Sequence, residues 1–211
     1  MRTTDTDQHG RTARHGPRPA LLALSRAFTL VELLVALAVA GVLLGAAVPD
    51  LRAFVARQHI RVAAADLLAS LHLARSAALG RAEIVVVAPV DGNGAWRQGW
   101  TVFADRDGNG RPGLGDDILF RHGPVADGLR IWSRLSAAAP PWYVAYNSAG
   151  RTCRAGNGTA ANWGTLSLRL GGEERNIKIN MLGRARLCDP RRERGCEAAG
   201  QPGQTKAADE T

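Results

Sequence analysis

From position 28 to position 48 the chain reads FTLVELLVALAVAGVLLGAAV, apolar or small everywhere except Thr29 and Glu32. A run of roughly 20 such residues matches the thickness of a bilayer, and it predicts a transmembrane helix over 28–48 rather than the core helix of a soluble domain. Pro49 follows. Beyond it Leu51, Phe54, Val55, Val62, Leu67, Leu68, Leu71, Ala74, Ala78 and Leu79 recur at near-helical spacing, while Arg52, Arg57, Arg61, Asp66 and Arg75 mostly take other faces. That pattern predicts an amphipathic helical half over 49–82. Together the two stretches read as one long helix, kinked at Pro49, whose second half packs on a globular head.

After residue 82 the period changes. Short runs of β-forming residues at 83–88, 99–104, 117–121, 129–133, 142–146, 164–170, 175–181 and 184–188 alternate with turn sequences: DGNG at 91–94 and 107–110, NSAG at 147–150, GGEE at 171–174. Runs of this length and spacing predict antiparallel strands. The fold class is therefore α+β, a long N-terminal helix packed on a mainly antiparallel β head over 83–196. The two DGNG turns share chemistry without a longer repeat around them. Residues 197–211 lack large apolar side chains and predict a flexible tail.

Charge adds a direction. The formal net charge is +8 over 211 residues. Residues 1–27 hold five arginines against Asp5 and Asp7, a net +3 ahead of the apolar run, which predicts a cytoplasmic N-terminus and an exported head. The run exceeds the 7–15 residues of an ordinary signal core, so GAAVPD is a poor secretory cleavage site. Cys153, Cys188 and Cys196 all fall on the exported side, where two of the three are expected to pair, with the pairing left open. No CxxC or histidine pair accompanies them to suggest a metal site.

Glu32 poses the sharpest question, because a carboxylate in hydrocarbon costs roughly 2–3 kcal/mol even on the mildest scale. Ala27-Phe28-Thr29-Leu30-Val31-Glu32 resembles the processing site of type IV prepilins and type II secretion pseudopilins. In that family a prepilin peptidase removes the basic leader, the new N-terminal amine is methylated, and a glutamate five residues into the mature chain is kept. Transferred to these positions, the resemblance implies a leader over 1–27, cleavage between Ala27 and Phe28, and an assembly role for Phe28 and Glu32. Most members have Gly where this chain has Ala27. The Phe28 ammonium, in the same chain or a neighbouring one, would then supply the partner that Glu32 lacks, since two buried charges that meet cost far less than either alone.

The head carries a second likeness. Helix, strand, GWTVFADRDGNGRPGLGDDILFRHG, an aromatic strand, NSAGR, a strand pair and GRARLC, in that order, resemble the GspH/FimT family of minor pilins and pseudopilins. The resemblance implies a subunit of a type II secretion system or type IV pilus, held in the bacterial inner membrane with its head in the periplasm and then assembled into a pilus or pseudopilus. Its implied partners are prepilin peptidase, other pilins or pseudopilins and the membrane. It implies no cofactor, no small-molecule substrate and no enzymatic activity. The rival readings are an enzyme and a plain signal-anchored periplasmic domain, and His59, His72, His122, Ser70 and Ser76 form no nucleophile or metal motif that would favour an enzyme.

Two stretches could carry further chemistry. Asp105, Asp107, Asn109, Gly110 and Asp116 fit the spacing of a calcium loop, but with Asp in place of the bidentate Glu and with strands in place of helices. A hydrogen-bonded hairpin loop is the favoured reading. Arg184 and Arg186 stand two apart in GRAR, near Lys178, Arg191, Arg192 and Arg194, a pattern able to hold phosphates. In some FimT-type minor pilins a C-terminal GRxR motif is implicated in binding DNA during uptake, and Arg184 and Arg186 occupy the matching positions. The alternatives are solvated charge or an acidic neighbour in the filament.

Overall fold

The computed structural model describes residues 29–91, 94–137 and 142–200. Among the described residues one α-helix, α1 (Leu30–Arg81), is followed by nine strands: β1 (Val85–Pro89), β2 (Trp100–Ala104), β3 (Asp117–His122), β4 (Arg130–Leu135), β5 (Val144–Tyr146), β6 (Thr152–Cys153), β7 (Gly164–Leu170), β8 (Glu173–Ile179) and β9 (Ala185–Cys188). The chain divides into a unit that ends at Gly45 and a unit that begins at Ala46. The helical assignment continues through Pro49, the position of the expected kink.

In the first unit, ten large apolar side chains between Leu30 and Leu44 are exposed, Leu30 at 73% and Val42 at 74%. None of the described residues covers them, so this stretch calls for an apolar partner. The stretch Leu51–Arg81 is also apolar and long enough to cross a membrane. It is nevertheless the core helix of the second unit, because Ile60, Ala63, Ala64, Leu67, Leu71, Ala74 and Ala78 are buried there.

Those seven residues follow i, i+3, i+4, i+7 spacing and form a single stripe. Four of them are alanines, which lets the strands approach the helix closely. Two antiparallel sheets share this stripe, one in the order β3-β2-β1-β5-β6 and the other β4-β7-β8-β9. Val85, Val87, Trp100, Val102, Val144 and Tyr146 from the first sheet meet Ile131, Leu166, Leu168, Ile177 and Ile179 from the second in one core around the helix. The alternate residues Val86, Ala88, Phe103, Ala145 and Cys153 form a smaller core on the other side of the first sheet. Strands β1, β2 and β5 are therefore buried on both faces, which explains why β1 is apolar throughout instead of alternating. Polar groups fix the helix register: Trp100 Nε1 donates to Ser70 Oγ at 2.8 Å, Ser70 Oγ donates to the Asp66 carbonyl at 2.8 Å, and His122 stacks on Trp100 with ring centroids 3.9 Å apart.

The expected helical face is corrected in part. Leu51, Phe54, Val55, Val62 and Leu79, taken with the packed positions from their spacing, are exposed. Apolar spacing alone does not separate one helical face from two. The GGEE turn is corrected as well, since Leu170 pairs with Glu173 across a two-residue loop, Gly171-Gly172, with Gly171 at φ 58°. The positive φ suits the tight hairpin turn, and β8 accordingly starts at Glu173. The flexible tail expected from Glu197 is not found over Glu197–Gly200: Ala199 is buried, its N–H donates to Ser167 Oγ at 2.8 Å, and its carbonyl accepts Trp132 Nε1 at 2.7 Å. The remainder of that tail lies outside the described residues.

Candidate functional site

Ala27 and Phe28 lie outside the described residues, as does the leader before them. The first described turn nonetheless defines the setting of Glu32. Thr29 Oγ1 accepts the Glu32 N–H at 3.2 Å, and the Thr29 carbonyl accepts the Leu33 N–H at 3.1 Å. Thr29 is therefore the N-cap and Glu32 stands at the third helical position, the spacing of a capping box. A carboxylate there also faces the positive end of the helix dipole. Sequence reasoning treated Thr29 only as an interruption of the apolar run, although T-x-x-E before an apolar stretch is a recognisable helix-start signal.

The Asp-rich loop between β2 and β3 turns its carboxylates inward. Asp105 accepts the N–H groups of Gly108 (3.0 Å) and Gly110 (3.1 Å), Asp107 accepts that of Asn109 (3.1 Å), and Asp116 accepts those of Arg106 (3.0 Å) and Gly113 (2.9 Å). Asn109 Oδ1 accepts the Arg111 N–H at 2.6 Å. One ligand oxygen from each of Asp105, Asp107 and Asp116 lies within 4.8 Å of the others. All four residues of the calcium candidate thus come together, with their oxygens engaged by the loop's own amides.

Asp105 is 7% exposed. Burial pushes its carboxyl up to about 6; the Gly110 and Gly108 amides pull it down, and Asp107 pushes it up. An aspartate in the unfolded chain loses its proton near pH ~4. Between these values the folded head holds a proton that the unfolded chain has released, so this group's stabilisation is complete below ~4 and is lost as pH rises through ~6. Relative to wild type, Asp105→Asn is expected to be more stable at pH 7 than at pH 4 by on the order of 2 kcal/mol. Urea unfolding of the full chain in detergent at both pH values measures it, and a difference that does not change with pH would contradict the assignment.

At the β8–β9 end the arginines do not behave alike. Arg184 and Arg186 are both exposed and flank buried Ala185, as the alternation predicts. Arg186, however, meets Glu193 at 3.0 Å; Lys178 meets Glu197 at 3.5 Å; Arg191 meets Glu173 at 3.6 Å and donates to the Gly172 carbonyl; and Arg192 meets Asp189 at 3.8 Å. Arg184 has no acidic partner among the described residues. Its neighbour by folding is Arg151, also exposed and without an acidic partner among the described residues. The turn at Gly183 presses on Gly150-Arg151: a Cβ at Gly183 would lie 1.9 Å from the Gly150 carbonyl oxygen and 3.3 Å from the Arg151 Cα. With φ at 83° as well, Gly183 is the residue that permits this approach. Arg151 is 32 positions from Gly183 in sequence, and nothing local signals this approach of the two backbones.

Cys188 and Cys196 form a disulfide, which closes a short loop on the edge of the second sheet. Cys153 is free and buried, and burial pushes its thiol up to about 11, the environment of a packing residue rather than a nucleophile. Ser70 and His122 are taken up in the contacts around Trp100, and His59 and His72 are exposed on α1.

Against known proteins, residues 63–183 match the family model of the type II transport protein GspH, and residues 22–48 match the prokaryotic N-terminal methylation motif. No curated protein matches the chain by sequence. Among solved structures, the chain is similar to the type IV minor pilin FimU of Pseudomonas aeruginosa, with 20% identity over 64% of this chain and 91% of that one and a TM-score of 0.44. It is also similar to the minor pseudopilin EpsH of the type 2 secretion system of Vibrio cholerae, with 19% identity over 63% of this chain and 98% of that one and a TM-score of 0.45.

Proposed function

Because this chain belongs to the family of the type II transport protein GspH, whose model it matches over more than half its length, we propose that it is a structural subunit that is cut before Phe28, held in the inner membrane by residues 28–48, and assembled through that helix into a pilus or pseudopilus. The observation that carries the reading is the coincidence of the methylation-motif match at 22–48 with a helix whose apolar side chains from Leu30 to Leu44 have no cover among the described residues. A membrane and then the helices of other subunits are surfaces that can cover them. The leader's net positive charge supports a cytoplasmic N-terminus, and the disulfide supports a head in the periplasm. The role is mechanical and calls for no catalytic group. Intact-mass analysis of the membrane-extracted chain tests it.

Arg184, exposed and without an acidic partner among the described residues, supports a second role on the same scaffold, DNA binding by the head. Each neutralised phosphate releases counterions and adds about 0.9 to the log–log salt slope. In full chain held in zwitterionic detergent, Arg184→Gln is expected to lower the slope by about one unit. Arg186→Gln should lower it by much less, because Glu193 already compensates that charge. Equal effects from the two substitutions, or no duplex binding near physiological salt, would leave the structural role alone.

A further inference from the structure

The helix of the second unit has a second apolar face. At about 100° per residue, Leu51, Phe54, Val55 and Val62 fall on one arc of α1, opposite the stripe of Ile60, Leu67 and Leu71 that packs on the sheets. All four are exposed, at 62%, 50%, 43% and 59%. Arg57 and Arg61 border this arc on one side and Arg52 on the other. None of the three arginines has an acidic partner among the described residues, and the sequence holds no acidic residue from Leu51 until Asp66. Beside the arc, an open and largely apolar groove of about 680 Å³ runs between Leu51–His59 and the Gly171-Gly172 turn.

We propose that this face docks on the surface of an anionic bilayer, with Leu51, Phe54 and Val55 entering the boundary between acyl chains and headgroups and Arg52, Arg57 and Arg61 holding lipid phosphates. An apolar arc flanked on both sides by arginines is the pattern of an interfacial helix. The arginine stems lie along the apolar surface while their planar forks reach phosphate oxygens. Position supports the same partner. Leu51 follows Gly45 by only six residues in the sequence, so a bilayer that takes in the preceding apolar stretch has its headgroups within the chain's reach of this face. A second copy's apolar helix fits less well, because the only charged side chain in residues 28–48 is Glu32 and the amine freed at Phe28 adds a positive charge, so three arginines pressed against such a segment would be desolvated largely unpaired.

The inference rests on membrane insertion of residues 28–48, and the test separates the two. The full chain carrying Val55→Cys is reconstituted in vesicles of phosphatidylcholine alone or mixed with phosphatidylglycerol. Insertion is verified by resistance to alkaline extraction, and the thiol is then exposed to a charged maleimide. Leu114→Cys, on the fully exposed loop after β2, is the reference, and buried Cys153 stays unreactive while the head is folded.

With about fivefold in docked occupancy from each arginine, modification of Val55→Cys should slow about tenfold or more on anionic vesicles. It should recover at high salt and in Arg52→Gln/Arg57→Gln/Arg61→Gln. Arg52→Gln alone should recover part of it, which serves if the triple variant misfolds. Equal rates on both vesicle types in an inserted chain would overturn docking and leave insertion standing. Protection that depends on protein density instead of lipid charge would assign the face to a second copy and overturn the proposal. A chain that alkali extracts would overturn the insertion reading and the proposal with it.

Discussion

In cells with an active prepilin peptidase, the membrane-extracted chain is expected to start at N-methylated Phe28, with the mass of residues 1–27 absent and one methyl group added. In cells without the peptidase the same preparation should retain the leader in full. Ala27 precedes the cut, so Ala27→Leu should leave the chain unprocessed even where the peptidase works, by placing a bulky side chain where this family keeps a small one. The apolar run stays intact in that variant and insertion should persist, which separates a failure of cutting from a failure of export. A mature terminus near Ala47 would show ordinary signal cleavage, and an uncut chain beside active peptidase would remove the basis for assembly through this helix.

The elements read best from sequence are those where one physical signal dominates. The apolar run, the helix end at Arg81 and strand β7 at Gly164–Leu170 match their expected places, because periodicity and flanking turn residues agree there. The other expected strands shift by one or two residues at one end or both. The two-residue strand β6 and the short 3-10 turn Trp96–Gln98 were not read at all, since segments this short have no period of their own. β6 exists because Cys153 and Thr152 pair with Ala145 and Tyr146, a contact set by the folded chain.

The candidate sites divide in the same way. The loop from Asp105 to Asp116 was recognisable because its side chains act on backbone only a few residues away, so spacing carries the information. Charge compensation was not recognisable. GRAR presents two identical residues, yet Arg186 lies opposite Lys178 in the strand register and is engaged by Glu193, while Arg184 has no acidic partner among the described residues. Composition likewise suggested a loose end from Glu197, but Trp132 and Ser167 hold Ala199 through backbone hydrogen bonds. A segment without large side chains can still be anchored through its main chain.

Replacing Glu32 is expected to have a large effect on assembly and little on insertion. Glu32→Ala removes a carboxylate from hydrocarbon, which favours the membrane by roughly 2–3 kcal/mol. Incorporation into sheared filaments or pseudopili should nonetheless fall about tenfold or more, because the Phe28 ammonium loses its partner and a buried charge left alone is strongly destabilising. The capping geometry supplies a competing cause, since Glu32 also stands three residues after the Thr29 cap. Two further variants tell them apart. Glu32→Gln keeps a side chain able to complete a capping box but lacks the charge, and should assemble as poorly as Glu32→Ala. Thr29→Ala loses the cap, at about 1 kcal/mol, but keeps the charge, and should assemble nearly as well as wild type. If Glu32→Gln assembles normally while Thr29→Ala does not, Glu32 serves to start the helix, and the pairing of charges between subunits is the wrong account of why a carboxylate sits in the apolar run.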